Sequence, residues 1–180
     1  GNKSGLDITA CDIAYYHSSE DLKNKGLQDV EHAMKHMKKA ENNYKWDYFK
    51  DIESLRMHRL TALQECATDM KESSERYIPV NLPSLPFKND EFDILLSAHF
   101  LFMYADRLDY PFHLETLNEL LRVTKEEVRI FPLVDLEGKR YEHLDKIFSY
   151  LADRNYIVEE IKVPYEFQSN ANSMLKIRKA

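Results

Sequence analysis

Glycine is scarce in this chain, with 4 in 180 residues. Loops that cradle phosphates with backbone amides consume glycine, and no Gly-x-x-x-x-Gly-Lys-Ser/Thr run occurs, which excludes a P-loop NTPase. No Gly-x-Ser-x-Gly elbow occurs either, which argues against an esterase-type hydrolase. The two cysteines, Cys11 and Cys66, are too few for a disulfide framework and read as reduced thiols. No apolar run approaches the roughly 20 residues needed to cross a bilayer, and no signal-peptide pattern is visible. The expectation is a cytoplasmic protein with no membrane association. The net charge is −6. Neutralising nucleic-acid phosphates needs a basic face, so general nucleic-acid binding is not expected. Lys35, Lys38 and Lys39 make a short basic stripe that acidic neighbours balance, and it reads as a solvated face.

What the chain has is apolar and aromatic mass: 43% hydrophobic residues, with 11 Tyr and 9 Phe. That supports one folded domain over residues 1–180. Residues 6–14 are rich in β-branched and small apolar residues and predict a buried strand ending near Asp12. From Ser19 to Ser74 good helix formers dominate. Ser18-Ser19-Glu20-Asp21 predicts a helix start, and Gly26 predicts a break. Val30, Ala33, Met34, Met37 and Ala40 follow helical spacing, as do Ile52, Leu55, Leu60, Leu63 and Ala67. Beyond Arg76 the pattern alternates. Strands are predicted at 77–80, 92–98, 128–133, 157–163 and 173–178, with helices at 113–123 and 141–155. The run Phe92–Ala98 is apolar almost throughout, which predicts a central, parallel strand. Alternation of this kind predicts a mostly parallel sheet with helices on both faces. The linker 164–172 is too short for a crossover helix, so the last two strands should pair antiparallel.

On the helical block, His32 and His36 share a face at i, i+4, with Glu31 beside them. Two metal ligands would be spaced so, but no third ligand is identifiable and a solvated face is the expectation; no metal is predicted. Tyr44-Lys45-Trp46-Asp47-Tyr48-Phe49 is an unusually aromatic run. It reads either as part of a cap over a binding site or as an ordinary packed helical subdomain.

The stretch Asn81-Leu82-Pro83-Ser84-Leu85-Pro86-Phe87-Lys88-Asn89-Asp90-Glu91-Phe92-Asp93-Ile94-Leu95 resembles a loop-and-strand signature of class I S-adenosylmethionine-dependent methyltransferases. Ser97-Ala98-His99-Phe100-Leu101-Phe102 resembles that family's active-site strand end. Leu117-Asn118-Glu119-Leu120-Leu121-Arg122-Val123 resembles the helix before its fifth strand. The resemblance covers about Leu6–Asp12 and then Arg76 to the end. It implies an α/β fold: a Rossmann-like, mostly parallel sheet with a C-terminal antiparallel strand pair; the helical insertion at about 19–75 departs from the family, which needs a single helix there. The implied cofactor is S-adenosylmethionine, with S-adenosylhomocysteine as product. The acceptor, a small molecule or a protein, stays open, as does the oligomeric state.

In open α/β sheets ligands sit beyond the carboxyl ends of the strands. Asp12 closes the first strand, where a carboxylate can accept from two ribose hydroxyls, with Ile13 beside it. Asn81 and Leu82 close the second, where an amide and an apolar side chain can flank an adenine. Ser97 and Ala98 close the third, where small residues let a ligand approach the backbone. His99 is a weak candidate for a catalytic group, and Tyr15, Tyr16, His17 and Tyr104 are weak candidates for acceptor contacts. Each has a plainer reading: Asp12 as a backbone cap, Asn81 as the start of an Asx turn, His99 as a packed histidine.

The pattern also fails at the glycine-rich turn. The family's glycine-rich turn holds the methionine part of the cofactor after a first strand, whereas here Gly1-Asn2-Lys3-Ser4-Gly5 runs straight into Leu6. These residues, Gly1 included, fit only the tail of such a loop. A non-catalytic binding or scaffold protein on a degenerate methyltransferase fold is therefore the alternative to an enzyme.

Overall fold

The structure is a computed structural model that describes residues 5–179. The chain divides into two compact units, residues 5–42 with 46–81, and residues 43–45 with 82–179. No described helix is long and apolar enough to cross a membrane.

In the first unit, β1 (Ala10–Asp12) pairs in parallel with β2 (Tyr77–Pro79), Ala10 opposite Tyr77 and Asp12 opposite Pro79. Two 21-residue helices lie between them in sequence, α1 (Ser19–Lys39) and α2 (Ile52–Glu72). Their starts follow local chemistry. The Ser18 side chain accepts from the Asp21 N–H, and that of Asp51 from the Ser54 N–H, which satisfies amides with no partner in the first turn. Val30, Met34 and Met37 of α1 and Leu55 and Ala67 of α2 are the buried stripe.

Two expectations fail here. The first strand is not a buried run over 6–14. Only Ala10–Asp12 pair, half-buried to exposed, because the Asp12 carboxylate takes the Ala14 N–H at 2.9 Å and turns the chain into a 3-10 turn at Ile13–Tyr16. Gly26 does not break its helix. A Cβ there would lie 2.6 Å from Leu63 Cδ1, so glycine lets α2 come close against the middle of α1. The two helical spacings fall on α1 and α2, and residues 40–51 between them are turns and a short 3-10 piece.

The second unit holds β3 (Phe92–Ala98), α3 (Tyr110–Val123), β4 (Thr124–Phe131), α4 (Leu144–Ala152), β5 (Tyr156–Lys162) and β6 (Ser173–Lys179). The sheet order is β3-β4-β6-β5. β3 and β4 are parallel, and β6 runs antiparallel to both β4 and β5, so three of the four strands share one direction. The expected antiparallel closing pair is present. Val128, Ile130, Leu175 and Ile177 close one face, each at most 1% exposed, as are Leu117, Ile147 and Leu151 of α3 and α4. The opposite face aligns Leu96, Arg129, Lys176 and Glu159 across the four strands. Leu96 there is 70% exposed, so the two-sided helical cover expected from alternation is not complete in this unit. β3 lies at the edge of this sheet rather than its centre.

α3 begins with Asp109 accepting from the Phe112 N–H and a proline in the first turn. Its last turn carries Arg122, whose guanidinium governs the loop before β3. Asn43–Lys45, which include the first two residues of the aromatic run, belong to this unit. Tyr44 stacks on Phe167 with ring centroids 5.0 Å apart, and Lys45 Nζ lies 2.9 Å from a Glu166 oxygen. Trp46–Phe49 belong to the first unit, where Phe49 meets His58 edge-on at 5.3 Å.

Candidate functional site

The parallel pairing of β1 with β2 brings two expected contacts to one edge. Asp12 ends β1, and its carbonyl accepts the Val80 N–H at 3.3 Å, so Asn81 follows directly at the carboxyl end of β2. Both side chains are exposed there. Ile13 stands beside them at 60% exposure, an apolar surface next to a carboxylate and an amide. Asp12 Oδ1 already accepts from Ala14, as its plainer reading requires, and a carboxylate retains further lone pairs for a ligand.

The turn after Asp12 carries the three aromatic candidates. Tyr16 is 66% exposed and His17 is exposed. Tyr15 instead packs edge-on against Tyr77 at 5.2 Å, and burial pushes its hydroxyl up to about 12. Tyr15 is thus partly structural.

The remaining candidates lie in the second unit. Leu82 begins the loop to β3 and is half-buried. Ser97 is half-buried and Ala98 exposed at the carboxyl end of β3, with Ala98 opposite Phe131. His99 turns the chain with φ +56°, gives its N–H to the Phe131 carbonyl at 2.7 Å, and sets its ring edge-on to Phe131 at 5.3 Å. The residue is exposed, and this ring contact sets it beside the end of β4. Tyr104 is half-buried with the Arg107 guanidinium 5.1 Å from its ring centre. Gly1 lies outside the described residues.

The His32 and His36 rings lie 4.4 Å apart on an exposed face of α1. No group of three potential metal ligands occurs among the described residues.

Sequence reasoning missed a cleft of about 610 Å³ in the first unit, lined in part by Ala10, Cys66, Asp69, Arg76 and Tyr77. Tyr77 Oη donates to Asp69 Oδ2 at 2.6 Å. Burial, then this hydrogen bond, pushes the Tyr77 hydroxyl up, and burial raises the Cys66 thiol. Arg76 Nη1 is sealed from solvent without a hydrogen-bond partner among the described residues. The i, i+3 spacing of Cys66 and Asp69 on a helix was the only sequence signal for this cluster.

The second missed feature is a clamp on the loop that follows Leu82. Arg122 holds Glu119 with Nε and Nη2, both at 2.7 Å. Its remaining donors reach the Leu85 and Phe87 carbonyls at 3.2 and 2.8 Å and Asn89 Oδ1 at 2.9 Å. Glu119 Oε1 in turn accepts the Leu85 N–H at 2.8 Å. All five guanidinium N–H groups are engaged.

A mixed α/β protein with parallel strand pairs whose polar carboxyl ends face solvent is the class these features define. The chain is 37% identical over 180 residues to the uncharacterized protein MJ0045 of Methanocaldococcus jannaschii, covering 99% of this chain and 79% of that protein. It belongs to the same family. No family model matches the chain.

Proposed function

We infer that the protein binds S-adenosylmethionine in a Rossmann-like arrangement and transfers its methyl group to an acceptor. The observation that carries this reading is the edge made by Asp12, Ile13 and Asn81. Three chemistries that a nucleoside needs are exposed together at the carboxyl ends of two parallel strands. The Asp12 carboxylate would accept from ribose hydroxyls, Ile13 would cover a face of the adenine, and Asn81 would hydrogen-bond its edge. The described residues fit the nucleoside half of the cofactor. They include no glycine-rich turn for its methionine half.

The bound cofactor would supply an activated methyl group on a sulfonium, so the protein's part is alignment more than acid–base chemistry. Ser97 and Ala98 leave the end of β3 unobstructed by bulk. No role for His99 is required, because a general base is optional when the leaving group is a neutral thioether.

One observation favours a second reading, a non-catalytic binding protein. Asp12 Oδ1 already caps the turn at Ala14, so the residue has a structural reason to be there without any ligand.

Calorimetric titration with S-adenosylhomocysteine tests the first reading. Saturable binding that Asp12→Ala weakens at least about tenfold supports it, since a charge-assisted hydrogen bond is worth about 1.5–3 kcal/mol. Absence of saturable binding by the protein and by full-length MJ0045 contradicts it.

A further inference from the structure

The His113 imidazole, on α3, is fully buried and joins two loops. One is 99–109, which follows β3, and the other is 132–143, which follows β4. β3 and β4 are parallel neighbours, so both loops leave the sheet at its carboxyl end, where open α/β sheets receive ligands. Nε2 meets the Leu101 carbonyl of the first loop at 3.1 Å, and Nδ1 meets Tyr141 Oη of the second at 2.5 Å. A carbonyl only accepts, so Nε2 carries the hydrogen, and Nδ1 of the neutral ring accepts from the tyrosine. Phe102 of the first loop stacks on Tyr141 of the second at 4.8 Å.

We propose that neutral His113 is a latch joining these two loops, and that a proton on its ring opens them while the strands stay folded. The proton turns Nδ1 from acceptor to donor. Tyr141 Oη must then turn its own hydrogen away, and it has no second hydrogen-bond partner among the described residues. Tyr141 is buried, so no water replaces the lost acceptor while the loops stay closed. Burial likewise opposes a charge on the ring and holds its pKa below the ordinary value. The Leu101 carbonyl and Asp109, at the start of α3, act the other way, and His143 opposes the charge when protonated itself. The first loop meets the ring with Leu101 and Phe102 and the second with Tyr141, all uncharged. The closed form therefore binds the proton less tightly than the open form. Opening is at its lowest above about pH 6.5 and rises by up to tenfold per pH unit below it, until the pKa of the closed form is reached. The proposal does not depend on the methyltransferase reading.

Amide hydrogen exchange by NMR between pH 7.5 and 5 tests it, with nitrogen spectra of the His113 ring on the same samples. The amides of Tyr104 and Leu108 are bonded to the Phe100 and Tyr104 carbonyls, and that of Tyr141 to the Leu133 carbonyl, so they report on the two loops. Their protection factors are expected to fall by up to about tenfold per pH unit below 6.5, as the ring leaves its neutral Nε2–H form. At each pH they should lie at least about tenfold below those of the β4–β6 ladder, which opens only with the whole sheet. The fall should vanish in His113→Gln. Tyr141→Phe, which removes the hydrogen that the neutral ring accepts, should shrink it by half or more and carries the test if the glutamine variant does not fold. Loop protection that is flat across this range overturns the proposal, as does an equal fall in the folded variants. Loop protection equal to that of the ladder also overturns it, because the loops then open only when the protein unfolds.

Discussion

Replacing Arg122 with alanine removes a charge that holds Glu119 and three oxygen atoms of the loop before β3. The Leu85 and Phe87 carbonyls lose the Arg122 donor, and the Glu119 carboxylate, 18% exposed, loses its counter-ion. Hydrogen bonds to charged groups are worth about 1.5–3 kcal/mol each when buried. Arg122 is 33% exposed, so water takes over part of every one. The Asp90 N–H still reaches the Arg122 backbone carbonyl in the variant and keeps one end of the loop tied. The net expectation is a loss of about 2 kcal/mol, or about 4–8 °C in melting temperature for a chain of this size. Arg122→Lys should recover less than half of it, because an ammonium cannot reproduce the planar two-pronged contact with Glu119. Thermal melts give the stability. Limited trypsin digestion reads the loop directly, because Lys88 lies inside it and cleavage after Lys88 should accelerate in Arg122→Ala. A loss under about 0.5 kcal/mol, or unchanged cleavage at Lys88, refutes the clamp.

Two further outcomes follow from buried geometry. His113 is fully buried; its Nε2 donates to the Leu101 carbonyl at 3.1 Å, so Nδ1 accepts from Tyr141 Oη at 2.5 Å. Burial holds its pKa below the ordinary value, hence the unfolded chain binds the proton first and stability falls as pH drops below about 6.5. Melts between pH 7.5 and 5 should show this drop, reduced in His113→Gln once its own lower stability is subtracted; an equal drop in that variant contradicts the assignment. Gly26→Ala should destabilise by about 1 kcal/mol, because the crowding against Leu63 (about 1–3 kcal/mol) exceeds the gain in helix propensity (about 1 kcal/mol). Denaturant titration checks the sign, and a stabilised variant would show that Leu63 yields freely.

The second unit was legible because its elements repeat simple periods. Phe92–Ala98 was readable to the residue, and the short linker after residue 163 led to the antiparallel closing pair. What failed was relational. The apolar run of β3 predicted a central strand, yet it stands at an edge among the described residues, because such a run reports the cover over a strand's faces and not its number of neighbours. The glycine at 26 carried a helix-breaking propensity, but its cause lies in Leu63, 37 positions away. At the candidate site, the chain order of Asp12 and Asn81 pointed to strand ends, and the register of β1 on β2 joins them. The Tyr77–Asp69 pair and the five-donor clamp of Arg122 were not readable, since both depend on which side chains tertiary packing brings within 3 Å or so.

On the proposed reading, a nucleoside binds at the carboxyl edge of β1 and β2. Its most direct test is an NMR titration of S-adenosylhomocysteine into the protein and into Asp12→Asn, a variant that keeps an oxygen acceptor for the Ala14 N–H while losing the charge. Saturable shifts centred on Asp12, Ile13 and Asn81 are expected, with affinity at least about tenfold weaker in Asp12→Asn and the fold unchanged. Shifts absent from that edge, or affinity equal in the two proteins, would contradict it.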